Sequence, residues 1–293
     1  MKDVITAGVD GTPESLSAIR WAAEEARLRR ARLRLLHAWV LLAPEPASHP
    51  EAGQGQNYWT HRMMDEAATT ARARFPDLPV DEVLVAKNPL DALHEAAEQS
   101  DLLVLGSRDL GPIARYGLGE LGLQLVAHTE CPTVLVRARQ DSTANEGAGE
   151  VMVALSLHEP CEALLAFAFA SAARRGVTLR AIHGRHLPSY AYNRGGGVEP
   201  IAAEQAAQDA REDLAAALEA WREKFPEVRV DDRVVMESPA PALLHSAADA
   251  GLLVVGRRHR DRHRHRLPGP KIGHVVQAVV HHAPCPVAVV PHE

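Results

Sequence analysis

"NPLDALHEAAEQSDLLVLGSR" spans residues 88–108, and "SPAPALLHSAADAGLLVVGRR" spans residues 238–258. The two stretches match along their length at an offset of 150 residues. Each opens with a capping residue and a proline, Asn88-Pro89 and Ser238-Pro239, a pattern that begins a helix. Each closes in a wholly apolar run, "LLVLG" or "LLVVG". A strand that apolar is covered on both faces, as in a parallel sheet flanked by helices. A helix leading into a buried strand, met twice, points to an α/β fold and to an internal repeat.

The repeat extends outward in both directions. "FPDLPVDEVLV" at 75–85 matches "FPEVRVDDRVV" at 225–235, and "LRLLHAW" at 33–39 matches "LRAIHGR" at 179–185. "HTECPTVLV" at 128–136 matches "HAPCPVAVV" at 282–290. Two domains are therefore expected, 1–139 and 151–293, joined by the polar linker "QDSTANEGAGE" at 140–150. In the first copy "DVITAGVD", "RLRLLHAW" and "VDEVLVA" read as strands. Thr12 is placed to cap a helix starting at Pro13, with Ile19, Ala22, Ala23 and Ala26 on its buried stripe. A second helix is predicted over 57–74. Strands alternating with helices imply two repeated doubly wound domains, each a five-stranded, mainly parallel sheet with helices on both faces.

Composition narrows the function. Hydrophobic residues make up 46% and charged residues 24%, which excludes a disordered chain. Aromatics are only 4%, so the cores must be built from Ala, Val and Leu. The net charge is -6, and an acidic body argues against non-specific nucleic-acid binding as the main function; no specific nucleic-acid partner is expected either. Three widely spaced cysteines form no disulfide framework. Cys131 and Cys285 each precede a proline and an apolar run, so buried thiols are expected. No apolar run reaches about 18 residues, so no membrane span is expected, and the chain reads as soluble and cytoplasmic.

In doubly wound sheets ligands bind beyond the carboxyl ends of the strands. In the first copy those ends carry Asp10, His37-Ala38 and the loop 106–122, punctuated by Gly106, Gly111, Gly117, Gly119 and Gly122. Glycine allows backbone amides to approach a phosphate closely. His37 and His183 recur at strand ends, and His128 and His282 recur before the last strand; repetition suggests packing or capping. No GxSxG elbow, Walker loop or catalytic triad is present, so an enzyme is the less expected class.

Taken together, "VITAGVDGTPESLSAIRWAAEEA", "LRLLHAW", "DLLVLGSR" with its glycine loop, and the closing "HTECPTVLV" and "HHAPCPVAVV" resemble the universal stress protein family. The chain looks like a tandem, actinobacterial-like member. The resemblance implies a Rossmann-like fold of the adenine nucleotide alpha hydrolase type and a non-catalytic regulator that binds ATP. It implies a first-domain site of Gly8, Val9, Asp10, Ala38, Gly106, Arg108, Gly119, Glu120 and Leu121, with Mg²⁺ held through Asp10. Two positions depart from the family's loop: Asp109 replaces its second glycine, and Glu120 replaces its Ser/Thr. Each carboxylate facing a phosphate costs about 1–3 kcal/mol in a partly buried site, which Mg²⁺ or Arg108 would offset in part. The resemblance leaves a nucleotide-independent scaffold as the alternative.

The second copy departs further. Leu157 is expected in the place of Asp10 and Gly184 in that of Ala38. Gly256 keeps the first loop glycine, His259 takes the second, and Gly273 with His274 closes a loop four residues longer. A lost nucleotide site is expected. The stretch "GRRHRDRHRHRLPGPKIG" at 256–273 carries six arginines and three histidines. A metal site through His259, His263 and His265, a nucleic-acid contact, an anion cradle and a plain surface loop all remain open. The last strand of each copy, "PTVLVRA" or "PVAVVPH", would form an apolar edge. Such an edge needs cover, and the family resemblance implies that the two domains pair with each other through these strands and that the protein is a homodimer.

Overall fold

The computed structural model describes residues 2–39, 50–107, 120–138, 149–157, 162–192, 197–258 and 272–292. The chain divides into two compact units, Met1–Ala144 and Asn145–Glu293. The first contains β1 (Val4–Gly8), α1 (Pro13–Arg29), β2 (Arg32–Trp39), α2 (Pro50–Arg72), β3 (Val80–Ala86), α3 (Pro89–Glu98), β4 (Leu102–Ser107), α4 (Glu120–His128) and β5 (Thr133–Arg137). Its strands lie in the order β3-β2-β1-β4-β5, each neighbouring pair parallel. The second contains β6 (Glu150–Ala154), α5 (Glu162–Arg175), β7 (Leu179–Gly184), a short 3₁₀ turn (Ser189–Ala191), α6 (Pro200–Lys224), β8 (Val230–Val235), α7 (Pro239–Ser246), β9 (Ala250–Arg258), α8 (His274–His282) and β10 (Val287–His292). Its order is β8-β7-β6-β9-β10, again parallel throughout. The repeated doubly wound α/β fold expected from the sequence is thus observed.

The helix ends follow from local chemistry. The Thr12 hydroxyl accepts from the Ser15 amide at 3.2 Å, and Pro13 occupies the first helical position of α1. At the other end the amides of Arg30 and Ala31 donate back to Arg27 and Ala26, closing the helix with Arg30 in the left-handed region. The second unit repeats this cap with Gly176 and Val177 on Ala173 and Ala172. The side chain of Asn88 accepts from Leu90 and caps α3 as expected. Ser238 occupies the matching place on α7 but makes no such bond, and its hydroxyl lies 3.0 Å from His186 Nε2 instead. One boundary needs correction. The second helix runs Pro50–Arg72, seven residues earlier than expected at its start. Pro50 opens the helix, and it continues through Gly53 and Gly55, residues of low helix propensity.

Each sheet is sealed by small and branched aliphatics. Ile19, Ala22, Ala23 and Ala26 are buried on α1, as their spacing implies. Leu102, Leu103 and Val104 on β4, and Leu252, Leu253, Val254 and Val255 on β9, are likewise buried. The scarce aromatics are distributed unequally. In the second unit Phe169 packs on Trp221 and Phe225, with ring centroids 5.7 and 5.5 Å away. In the first, Phe75 is covered by the guanidiniums of Arg27 and Arg74 at 5.0 and 5.5 Å. Cys131 and Cys285 are buried free thiols. Burial pushes the Cys131 thiol up from its ordinary value to about 12, so it stays protonated at neutral pH and is a packing group. Cys161 lies outside the described residues.

Candidate functional site

The chain runs from β1 outward through β2 and β3, then returns to β4 on the other side of β1. The reversal opens a crevice between the carboxyl ends of β1 and β4, where ligands of such sheets bind. In register, Ala7 pairs with Val104 and Gly8 with Leu36. Asp10 and Gly106 therefore flank the crevice, with Ala38 at the end of the next strand. Of the expected site residues, Gly8, Val9, Asp10, Ala38 and Gly106 are brought together on three adjacent strands. Leu121 lies in the first turn of α4 and is partly exposed. Glu120 begins that helix. Arg108, Asp109 and Gly119 lie outside the described residues.

Each of these positions has a physical reason. Asp10 is exposed, and its Oδ1 accepts from the amide and hydroxyl of Thr12 at 3.0 and 2.6 Å. This bond shapes the turn into α1 and holds the carboxylate beside the positive end of that helix. Gly11 has φ of 75°, a conformation glycine adopts without strain. The carboxylate thus does structural work through Oδ1. A role for Asp10 in the turn was missed from sequence, although Asp-Gly is a turn signal.

Val9 is tied on both sides. Its amide donates to Leu36 O at 2.9 Å, and its carbonyl accepts from His37 Nδ1 at 2.8 Å. That bond places the His37 proton on Nδ1, and the ring stacks on Trp39 with centroids 6.0 Å apart. The Val9 amide is therefore spent within the fold, and the residue supports the crevice. His183 makes the same bond to Leu155 O at 2.9 Å, so of the packing or capping roles expected of the recurring histidines, His37 and His183 each bond a backbone carbonyl of the neighbouring strand end. Gly8 and Gly106 face opposite sides of the sheet. A Cβ on Gly8 would meet Leu105 and Leu93, while one on Gly106 would sit 2.7 Å from the backbone of Glu14 and Ser15. Ser107, also overlooked, is buried at the end of β4, and its hydroxyl has no protein partner among the described residues.

The histidine bonds also set the correspondence between units. His37 and His183 match, so Val9 matches Leu155, and Asp10 matches Ser156. The expected match to Leu157 is one residue out, because it used Pro160, and the second copy has one extra residue between the strand and that proline. Ser156 is exposed and uncharged. Gly184 does stand at the place of Ala38, where a Cβ would come within 2.9 Å of the Pro239 backbone. His259, His263 and His265 lie outside the described residues. Among the described residues no group of three or more His, Cys, Asp or Glu could hold a metal. No helix among them is long and apolar enough to cross a membrane.

The sequence pattern of the universal stress protein family matches residues 1–137 and again residues 148–291. The chain belongs to this family, as a tandem member. Its relatives include universal stress protein Rv2005c of Mycobacterium tuberculosis, 32% identical across 97% of this chain and 96% of the relative. In three dimensions the chain resembles a universal stress protein from Archaeoglobus fulgidus with a TM-score of 0.70 and 14% identity, covering 100% of both chains. A universal stress protein solved in complex with cAMP covers 46% of this chain and 97% of its own, with 24% identity and a TM-score of 0.36.

Proposed function

We propose that this universal stress protein is a non-catalytic regulator that binds an adenine nucleotide of the ATP class in its first unit. The observation that carries the reading is the crevice between β1 and β4, where Asp10 is an exposed residue whose Oδ1 holds the turn. A single carboxylate suits Mg²⁺ that takes its remaining ligands from phosphates and water. Ser107 adds a buried hydroxyl whose unmet hydrogen bond favours a polar ligand or water nearby. The glycine loop, through Arg108, Gly119, Glu120 and Leu121, would hold the phosphates. In the second unit Ser156 replaces the carboxylate, and the nucleotide site is lost.

Titration calorimetry with ATP and Mg²⁺ is expected to show one site per chain, weakened by Asp10→Ala. No heat at millimolar nucleotide would refute the reading.

One observation favours a scaffold instead. The lack of a side chain at Gly106 is accounted for by its contact with α1 alone. A scaffold requires that protein purified without added ligand carry no nucleotide, which mass spectrometry of the native protein reads directly. From the apolar last strands, we further propose that the two units pair with each other and that the cytoplasmic form is a homodimer. Equilibrium sedimentation is expected to give twice the chain mass; a single chain mass at micromolar protein would exclude the dimer.

A further inference from the structure

We propose that the second unit carries a docking surface for a cationic amphipathic segment of another protein, formed by the short 3₁₀ turn and the first turns of α6. It does not depend on the nucleotide crevice of the first unit. Four large apolar residues stand in solvent there: Ile201 is 87% exposed, Tyr190 61%, Val198 47% and Tyr192 45%. Apolar residues scattered singly over a surface need no explanation, but gathered ones rimmed by polar groups mark a contact site. The backbone gathers these. Tyr192 and Val198 form an antiparallel bridge, and residues so opposed point their side chains to one side. The Glu199 amide donates to the Ala191 carbonyl at 2.8 Å, which ties the turn to the start of α6. Ala191 is fully buried, so the turn is anchored between its two outward tyrosines. Ile201 follows in the first turn of the helix.

The rim decides the partner's charge. Glu204, Gln205, Gln208 and Glu212 follow Ile201 at helical spacing, share its face and are exposed. Glu199, Asp209 and Asp213 beside them are exposed as well. The cations among the described residues are fewer. Arg211 is bonded to Glu204 and Gln208, both at 3.1 Å, and Arg185 and His186 precede the turn. Arg194 lies outside the described residues. The surplus of carboxylates repels nucleic acid and anionic lipid and attracts Lys or Arg. The first unit shows the contact such a partner offers. There the Arg62 guanidinium lies 5.6 Å from the centre of the Trp59 ring, an exposed aromatic on α2. An arginine of the partner covers Tyr190 or Tyr192 in the same way, while its apolar side chains, repeated at helical spacing, settle on Val198 and Ile201.

The test uses the full chain and a fluorescein-labelled peptide of Lys, Arg and Leu at amphipathic helical spacing, about four turns long. Fluorescence anisotropy is expected to show one saturable site per chain, weakening as salt is raised. Ile201→Ser is expected to lower affinity about fivefold or more. Glu212→Lys is expected to weaken binding too. Both positions are exposed, so the circular dichroism spectrum and melting temperature should not change. The same peptide with Glu for every Lys and Arg is expected not to bind. No saturable binding at submillimolar peptide, binding unchanged in both variants, or tighter binding of the Glu peptide would overturn the proposal. Binding abolished by Trp59→Ala while Ile201→Ser retains it would place the peptide on the first unit and overturn it equally. Self-association in sedimentation that Ile201→Ser abolishes, with no peptide uptake, would assign the surface to a second copy of this chain instead.

Discussion

Gly106→Ala is expected to destabilise the first unit by about 1–3 kcal/mol, seen as a lower urea midpoint in the transition of that unit. The added methyl would sit 2.7 Å from the carbonyl carbon of Glu14 and from the amide of Ser15, and 2.9 Å from the Glu14 oxygen. All three are backbone atoms in the first turn of α1, so no rotamer change relieves the contact. Either β4 or the start of α1 must move. The Thr12 cap and the Asp10 turn precede that helix start, so displacement also reaches the crevice. Two control substitutions separate this account from a general intolerance of Ala at strand ends. On Gly8 the obstacle is the Leu105 Cδ2 methyl at 2.8 Å, and on Gly256 it is the His292 ring. Both are side-chain ends that can shift. Gly8→Ala and Gly256→Ala are therefore expected to cost less than Gly106→Ala. Equal costs at the three positions would refute the backbone-contact account.

What could be read from the sequence was the local part of the design. Thr12-Pro13 and Asn88-Pro89 encode their helix starts in adjacent residues. The apolar runs at 102–105 and 252–255 encode their burial in composition alone. Both needed no knowledge of distant contacts. The failures have the opposite character. The α2 start was missed although Pro50 is a residue that opens helices; Gly53 and Gly55 within its first turns have weak helix propensity. The match of Asp10 to Leu157 failed because a proline was taken as the anchor. The true register is set by a contact across strands, His183 to Leu155 O. The structural use of Asp10 Oδ1 was overlooked although its sequence signal was present. At Ser107 and Arg257 the offset of 150 already aligned the two residues, but only the strand order shows that they border the switch point. An alignment of copies gives correspondence; it does not give depth in the sheet.

The same limit governs the aromatic core of the second unit, where the largest stability effect is expected. Phe169→Ala is expected to cost about 3–5 kcal/mol, a large share of the roughly 5–15 kcal/mol that holds a typical domain. Phe169 is fully buried on α5 and packs on two rings that α6 brings to it, Trp221 and its neighbour Phe225. In the first unit the matching places hold Ala23, Ala71 and Phe75, with Arg27 and Arg74 lying over the single ring. Two alanines in one copy thus stand for two aromatics in the other, one on each of the packed helices. The volumes change together, because α5 and α6 must be spaced to admit both rings. Removing Phe169 leaves that spacing in place and opens a cavity that neither Trp221 nor Phe225 fills by rotation, since each already stacks on the other at 6.1 Å. Urea unfolding of the variant, followed by Trp221 fluorescence, should show the second unit melting early. Phe169→Leu, which keeps most of the volume, should recover the greater part of the loss. If Ala and Leu at this position were equally harmful, the cost would lie in the ring stacking and not in the cavity. If neither shifted the midpoint, Phe169 would not be a keystone of the second core.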